Sequence, residues 1–188
     1  MSRGGRGGFI GLCPFLASAA LYPQFVRRAT STGMTHPTQP RPTPMDIALG
    51  EAERAAVRGE VPVGAVIVAP DGAVLAMAGN RTRELNDPTA HAEMLVIREA
   101  CRKVGSERIG GHDLYVTLEP CPMCAAAISF ARIRRLYFAA ADPKSGGVLH
   151  GSRVFAQSTC HHVPETYDGI GAEASAALLK GFFSARRI

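Results

Sequence analysis

Two short segments constrain this chain more than anything else in it: His91-Ala92-Glu93 and, further along, Pro120-Cys121-Pro122-Met123-Cys124. Each stands where a helix is expected to begin. Cys121 and Cys124 occupy positions i and i+3, so on a first helical turn their sulfurs lie on one side. The unpaired amides and positive dipole end of a helix start favour the thiolates that a metal requires. A fold that brings the two starts together therefore offers one imidazole and two sulfurs. Zinc prefers four ligands, and three from protein with water in the fourth place mark a catalytic rather than a structural site. Zinc in such a site lowers the pKa of its water to about 7. Glu93 is too close in sequence to His91 to be an obvious fourth ligand. It is free instead to take the water's proton and hand it to leaving ammonia, which suits hydrolysis at an amine-bearing aromatic carbon. Alone, the cysteine pair reads equally as a redox pair or half a zinc knuckle, and a lone His-x-Glu arises by chance. Their order, their common place at helix starts, and the apolar strand leading into the cysteines make the joint signal strong.

The periodicity around these segments predicts a helix over 45–58, with Met45, Ile47, Ala48, Ala52, Ala55 and Ala56 on one face and Gly59 ending it. Strands over 63–69 and 73–78 flank the turn Pro70-Asp71-Gly72 as an antiparallel hairpin. A helix over 90–104, a strand over 113–118, a helix over 121–131 and a strand over 135–140 follow. Residues 143–170 are glycine-rich, with a short fifth strand expected over 163–167. A final helix over 172–187 is expected to turn Ala177, Leu178, Phe182 and Phe183 inward. This order implies an α/β layered domain with a mixed sheet.

Charge adds little to the functional reading. The net +5 comes from 21 basic and 16 acidic residues. Residues 1–44 hold five arginines (Arg3, Arg6, Arg27, Arg28, Arg41) and no acid, so the remainder balances at 16 and 16. Basicity in a tail is poor evidence that the folded part binds nucleic acid, so a local patch has to carry that argument. Residues 30–44 have a linker composition, and 1–44 are expected to be a disordered extension, a targeting segment or a start assigned upstream of Met34 or Met45. The ordered domain is expected to occupy 45–188. Five cysteines without framework spacing argue against a disulfide-stapled secreted domain, and no stretch approaches the roughly 20 apolar residues of a membrane span. A cytoplasmic location follows as the expectation.

The H-x-E followed by P-C-x-x-C is the signature of the zinc-dependent deaminases. Longer stretches sharpen the likeness: 59–65 (Gly-Glu-Val-Pro-Val-Gly-Ala), Gly79-Asn80-Arg81, 87–93 (Asp-Pro-Thr-Ala-His-Ala-Glu) and 114–121 (Leu-Tyr-Val-Thr-Leu-Glu-Pro-Cys). From about Met45 onward the chain resembles the bacterial tRNA-specific adenosine deaminases, which convert the wobble adenosine to inosine. The resemblance implies a three-layer α/β/α cytidine-deaminase-like domain with a five-stranded mixed sheet. It implies one zinc per subunit held by His91, Cys121 and Cys124, and Glu93 as the proton shuttle. It makes Asn80 a hydrogen-bonding partner of the flipped-out nucleoside and places Asp142 along the RNA path. It further implies a homodimer whose RNA surface comes from both subunits, with a tRNA anticodon stem-loop as partner and no membrane. The chain departs from the family at Ser145-Gly146-Gly147-Val148-Leu149-His150, where a Thr-Gly-Ala-Ala-Gly-Ser-like loop is usual. That departure bears on substrate contacts and not on zinc chemistry.

Arg132, Arg134, Arg135, Arg186 and Arg187 are candidate phosphate contacts, each of which would make affinity salt-sensitive. Cations near helix ends equally complement the dipole by roughly 0.3–1 kcal/mol. Phe182 and Phe183 could stack on bases or bury the last helix. Cys160-His161-His162 lacks a further ligand at recognisable spacing and is weak evidence for a second metal. Two rivals remain open: a deaminase of free guanine, cytosine or cytidine, for which the 145–150 loop is the best support, and a non-catalytic zinc-binding module. The latter predicts a closed metal site and indifference to Glu93→Ala.

Overall fold

The computed structural model describes residues 41–186. The extension up to residue 40, and Arg187, lie outside the described residues. The first helix, α1 (Pro44–Val57), starts where proline at its first position costs no hydrogen bond. Thr43, of linker composition, caps it: the Asp46 N–H donates to Thr43 Oγ1 at 3.2 Å and the Thr43 N–H to Asp46 Oδ2 at 2.8 Å, a capping box. Met45, Ala48, Ala52 and Ala55 form its buried face.

β1 (Gly64–Val68) and β2 (Val74–Gly79) form an antiparallel hairpin, with an irregularity between Ile67 and Val68. In the turn, Asp71 Oδ1 accepts the Ala73 N–H at 3.0 Å and Gly72 adopts φ 87°. After α2 (Ala92–Val104) come β3 (Asp113–Leu118), α3 (Pro122–Phe130), β4 (Arg135–Ala140), a 3-10 turn at Val154–Ala156, β5 (Glu165–Asp168) and α4 (Ala172–Ser184). The sheet order is β2-β1-β3-β4-β5, antiparallel across β2, β1 and β3 and parallel across β3, β4 and β5.

Alternation along the strands divides the core into two layers. Ala65, Ile67, Leu114, Val116, Leu136 and Phe138 pack with Val96, Ile97 and Ala100 of α2 and Ala125 and Ile128 of α3. On the other face Val66, Val68 and Ala139 meet Met45 and Ala48 of α1, and α4 lies beside α1 over β3 and β4. The result is the expected α/β/α arrangement around a five-stranded mixed sheet. A Cβ at Gly64 would lie 2.0 Å from the Ala48 carbonyl oxygen, so glycine there lets α1 come this close. Tyr115, Tyr137 and Tyr167, paired in register across β3, β4 and β5, stack with ring centroids 4.4 and 4.9 Å apart. Among the described residues no helix is long and apolar enough to cross a membrane.

Two sequence expectations are corrected. The fifth strand begins at Glu165 and not at 163, because Pro164 has no N–H to give; the ladder opens with the Glu165 N–H on the Arg134 carbonyl at 3.0 Å. In α4 the buried residue is Ser175, whose hydroxyl donates to the Thr117 carbonyl, while Ala177 and Phe183 are exposed and Leu178 and Phe182 are half-buried. The helix is apolar nearly all round, so composition could not choose its inward face; the hydrogen bond does.

Candidate metal centre

The site lies where α2 and α3 begin on the same side of the sheet. His91 occupies the N-cap of α2 and Cys121 that of α3, both with extended backbone and neither side chain capping its helix, so both are released for another task. Pro122 fixes the first helical position of α3, and Cys124 follows one turn on. The ligand atoms of His91, Cys121 and Cys124 all lie within 4.8 Å of one another. His91 Nδ1 stands 3.7 Å from Cys121 Sγ and 3.5 Å from Cys124 Sγ.

These distances test the metal directly. Tetrahedral zinc with Zn–S near 2.3 Å and Zn–N near 2.05 Å requires an N···S edge of about 3.6 Å, which both separations match. Hydrogen-bonded by Cys124 and His91, the Cys121 thiol is held well below its ordinary range, while Cys124, facing that thiolate, is pushed up. Three metal-ligating atoms therefore converge on one point, with one of the thiols already favoured as thiolate. Among the described residues no other histidine, cysteine and carboxylate group gathers in this way.

Glu93 is 3% exposed, and its Oε2 is a buried oxygen with no hydrogen-bond partner in the protein. Burial pushes this carboxyl up, only partly offset by its own N–H, by His91 and by Cys124. Asn80, at the end of the hairpin, is also buried; its Oδ1 accepts the Ala92 N–H at 2.8 Å. That bond orients the amide and ties the hairpin to the start of α2, and no hydrogen bond from its nitrogen is found among the described residues.

Two further buried carboxylates, Glu60 and Glu119, hold the flanking loops, and motif reading passed over both. Glu60 Oε1 accepts the N–H groups of Arg83 and Glu84, each at 2.9 Å, and Oε2 the Thr82 hydroxyl, fastening the loop that leads to His91. Glu119 collects the 142–150 loop in the same manner. Burial pushes it up, but the surrounding donors outweigh this and hold it below the usual carboxylate range. Both lie inside the quoted motifs, beside Val61-Pro62 and Pro120-Cys121; a charge embedded in an apolar run was the available signal.

The remaining candidates are dispersed. Asp142 Oδ1 accepts the N–H groups of Lys144 and Ser145, opening the 142–150 loop as a turn. Arg132 donates to the His161 carbonyl at 2.6 Å, Arg134 grips Asp113 through two 2.8 Å bonds, and Arg135 pairs with Glu165 at 2.8 Å. Arg132 follows the far end of α3, roughly 13 Å along the helix from Cys121 at 1.5 Å per residue. The Arg186 guanidinium lies 3.6 Å from the centre of the Phe182 ring, and Phe183 meets that ring edge-on. Cys160 is spent on Ser129 at 3.3 Å and the His162 carbonyl at 3.1 Å, so this segment braces the α3 end without assembling ligands.

Residues 40–140 match the cytidine and deoxycytidylate deaminase zinc-binding region. A tRNA-specific adenosine deaminase of Agrobacterium fabrum is 61% identical over 144 residues, covering 77% of this chain and 94% of that protein. One from Rickettsia bellii is 49% identical over 137 residues, 72% of this chain and 94% of that protein. A solved structure from work on A-to-I editing by tRNA:A34 deaminases at the wobble position superimposes with a TM-score of 0.71 at 62% identity, over 72% of this chain and 98% of its own.

Proposed function

The chain belongs to the tRNA-specific adenosine deaminase family, within the zinc-binding cytidine and deoxycytidylate deaminases, and from this membership we propose that it hydrolyses the wobble adenosine of tRNA to inosine. The observation that carries the chemistry is the metal-sized triangle of His91, Cys121 and Cys124 beside a buried carboxylate with a free oxygen.

In this reading those three residues hold zinc, which when bound supplies activated water at neutral pH. Overall, the water's oxygen replaces the amino nitrogen at the adenine C6 carbon, and nitrogen leaves as ammonia. Glu93 accepts the proton that water gives up and returns it to the departing nitrogen. Its burial serves this role, because a carboxyl pushed above its ordinary range by desolvation accepts a proton more readily. Asn80, oriented by the Ala92 N–H, presents its amide nitrogen to the nucleoside. The adenosine must leave its stack to reach them, at less cost in an anticodon loop than in a duplex.

Asp142 lines the RNA path, and the arginines 132, 134, 135 and 186 with Phe182 and Phe183 form its outer contacts, using whatever surface their internal partners leave, with Arg187 added from outside the described residues. A homodimer acting in the cytoplasm completes the reading. Phe130, 70% exposed beside a groove lined by Ala126 and Val154, is apolar surface that a second subunit would cover.

Ammonia release from tRNA carrying a wobble adenosine, set against release from guanine, cytosine and cytidine, tests the substrate. Turnover with the tRNA alone is expected. Turnover of a free base with no inosine in the tRNA overturns the assignment.

A further inference from the structure

In the 142–150 loop one buried carboxylate gathers most of the backbone N–H groups that the loop's own bonds and the core-packed Val148 side chain leave over. Glu119 is 2% exposed, in the connection between β3 and α3. Its Oε1 accepts three successive backbone N–H groups, from Val148 at 3.2 Å, Leu149 at 2.8 Å and His150 at 3.0 Å. Its Oε2 accepts the Asp142 N–H at 3.0 Å and lies 2.7 Å from His150 Nδ1. Consecutive amides converging on one point form an anion nest, here filled by a carboxylate of the protein itself. Only an acceptor-only group suits five converging donors, since an amide would bring N–H groups of its own.

The loop lies directly on the metal-binding turn. A Cβ at Gly146 would sit 2.5 Å from the Glu119 carboxylate, and one at Gly147 would sit 2.6 Å from the Pro122 nitrogen and 2.8 Å from the Cys121 carbonyl carbon. The Gly147 N–H donates to the Pro120 carbonyl at 2.8 Å. Without Glu119 the first half of the loop keeps its own bonds: Lys144 and Ser145 to the Asp142 side chain, Gly146 to the Asp142 carbonyl, and Gly147 to Pro120. The N–H groups of Val148, Leu149 and His150 keep no other backbone partner, although the His150 carbonyl still accepts the Arg153 N–H.

We propose that Glu119 is a positioning residue for the nucleic-acid substrate: its carboxylate clasps the 142–150 loop onto the Cys121 turn, so that this loop beside the metal centre is ordered before RNA arrives. The assignment rests on the deaminase reading above. A loop released from the clasp must be ordered on binding, and fixing a single residue's backbone is worth about a tenfold change in an equilibrium constant. The penalty falls on KM and largely spares kcat, because the metal, Glu93 and Asn80 are held by other contacts.

The test uses zinc-loaded full-length protein, an anticodon stem-loop RNA with a wobble adenosine, and amide hydrogen exchange. In Glu119→Ala we expect zinc per chain equal to the parent, KM raised about tenfold or more and kcat within about threefold. Amides 148–150 should exchange at least about tenfold faster, with those of β3 unchanged. Glu119→Gln, which keeps one acceptor oxygen for the nest, should fall between parent and Glu119→Ala in both readouts. His150→Ala, which removes one contact of five, should stay near the parent. Parent-like KM and exchange in Glu119→Ala overturn the proposal, as does loss of zinc and kcat at unchanged KM, the mark of a merely structural role. If Glu119→Ala does not fold, exchange at 148–150 in Glu119→Gln decides alone, and parent-like protection there overturns the clasp. A parent protein that binds zinc yet leaves the RNA adenosine intact refutes the deaminase reading instead.

Discussion

Replacing Gly147 with alanine should damage the metal site without touching a ligand. No left-handed backbone is required at Gly147, so the effect is purely steric. The added methyl would meet the Pro122 nitrogen at 2.6 Å, the Pro122 Cα at 2.7 Å and the Cys121 carbonyl carbon at 2.8 Å, all backbone atoms, where ordinary contacts begin at 3.4 Å. Relief needs a shift of about 0.6–0.8 Å, several times the roughly 0.2 Å that metal–ligand distances tolerate. Overpacking of this kind costs about 1–3 kcal/mol, which for a domain of this size lowers Tm by roughly 3–10 °C. Because the turn that moves carries Cys121, zinc affinity should also fall about 10–100-fold. Competition with a chromophoric chelator and a thermal melt read both numbers. Gly110→Ala, whose Cβ would meet nothing nearer than the Arg132 carbonyl oxygen at 4.0 Å, is the control and should bind zinc like the parent. Parent-like zinc affinity and Tm in Gly147→Ala would show that the loop does not press on the turn.

Glu93→Gln should keep its zinc and lose about 10²–10⁴ of its turnover, the usual worth of a positioned proton carrier; metal content and ammonia release report the two sides. In zinc-depleted protein the same carboxyl penalises folding, because burial raises its folded pKa above the unfolded value. Stability should therefore decline as pH rises from about 4.3 through that raised value, and denaturant melts of Glu93→Gln should show a shallower decline. Thr43→Ala removes the hydroxyl half of the capping box, the bond from the Asp46 N–H, and should cost about 1 kcal/mol, visible as a small fall in Tm with kcat unchanged. Arg134→Ala strands the nearly buried Asp113 and should cost about 1–3 kcal/mol. If that arginine serves the fold alone, the salt dependence of RNA binding stays as in the parent, whereas a slope reduced by about one unit marks a phosphate contact.

What could be read in advance followed from chemistry carried by nearby residues. β3 and β4 fall on their expected ranges because runs of apolar and aromatic residues mark them, and the helices differ by one to three residues at their ends, most at α4, which stops at Ser184 and not at 187. The cluster of His91, Cys121 and Cys124 was legible because each half is local: one histidine at one helix start, and two cysteines a turn apart at another. The loop clasps were not. Glu119 meets partners 23 to 31 residues away, and Glu60 meets partners 22 to 24 residues away, in loops without periodicity. The arginines 132, 134 and 135 read as one basic cluster, yet the strand alternation and the α3 end send each to a different internal partner. The face of α4 was lost for the opposite reason, since too many of its residues are apolar for any one side to stand out.

The central claim is that the two helix starts make a zinc centre that deaminates adenosine in RNA. The most direct measurement sequences a wobble-adenosine anticodon loop after incubation with the zinc-loaded protein. The account predicts adenosine read as guanosine at that one position, and none with Glu93→Gln of equal zinc content. An unedited wobble position in the presence of fully zinc-loaded protein would contradict it.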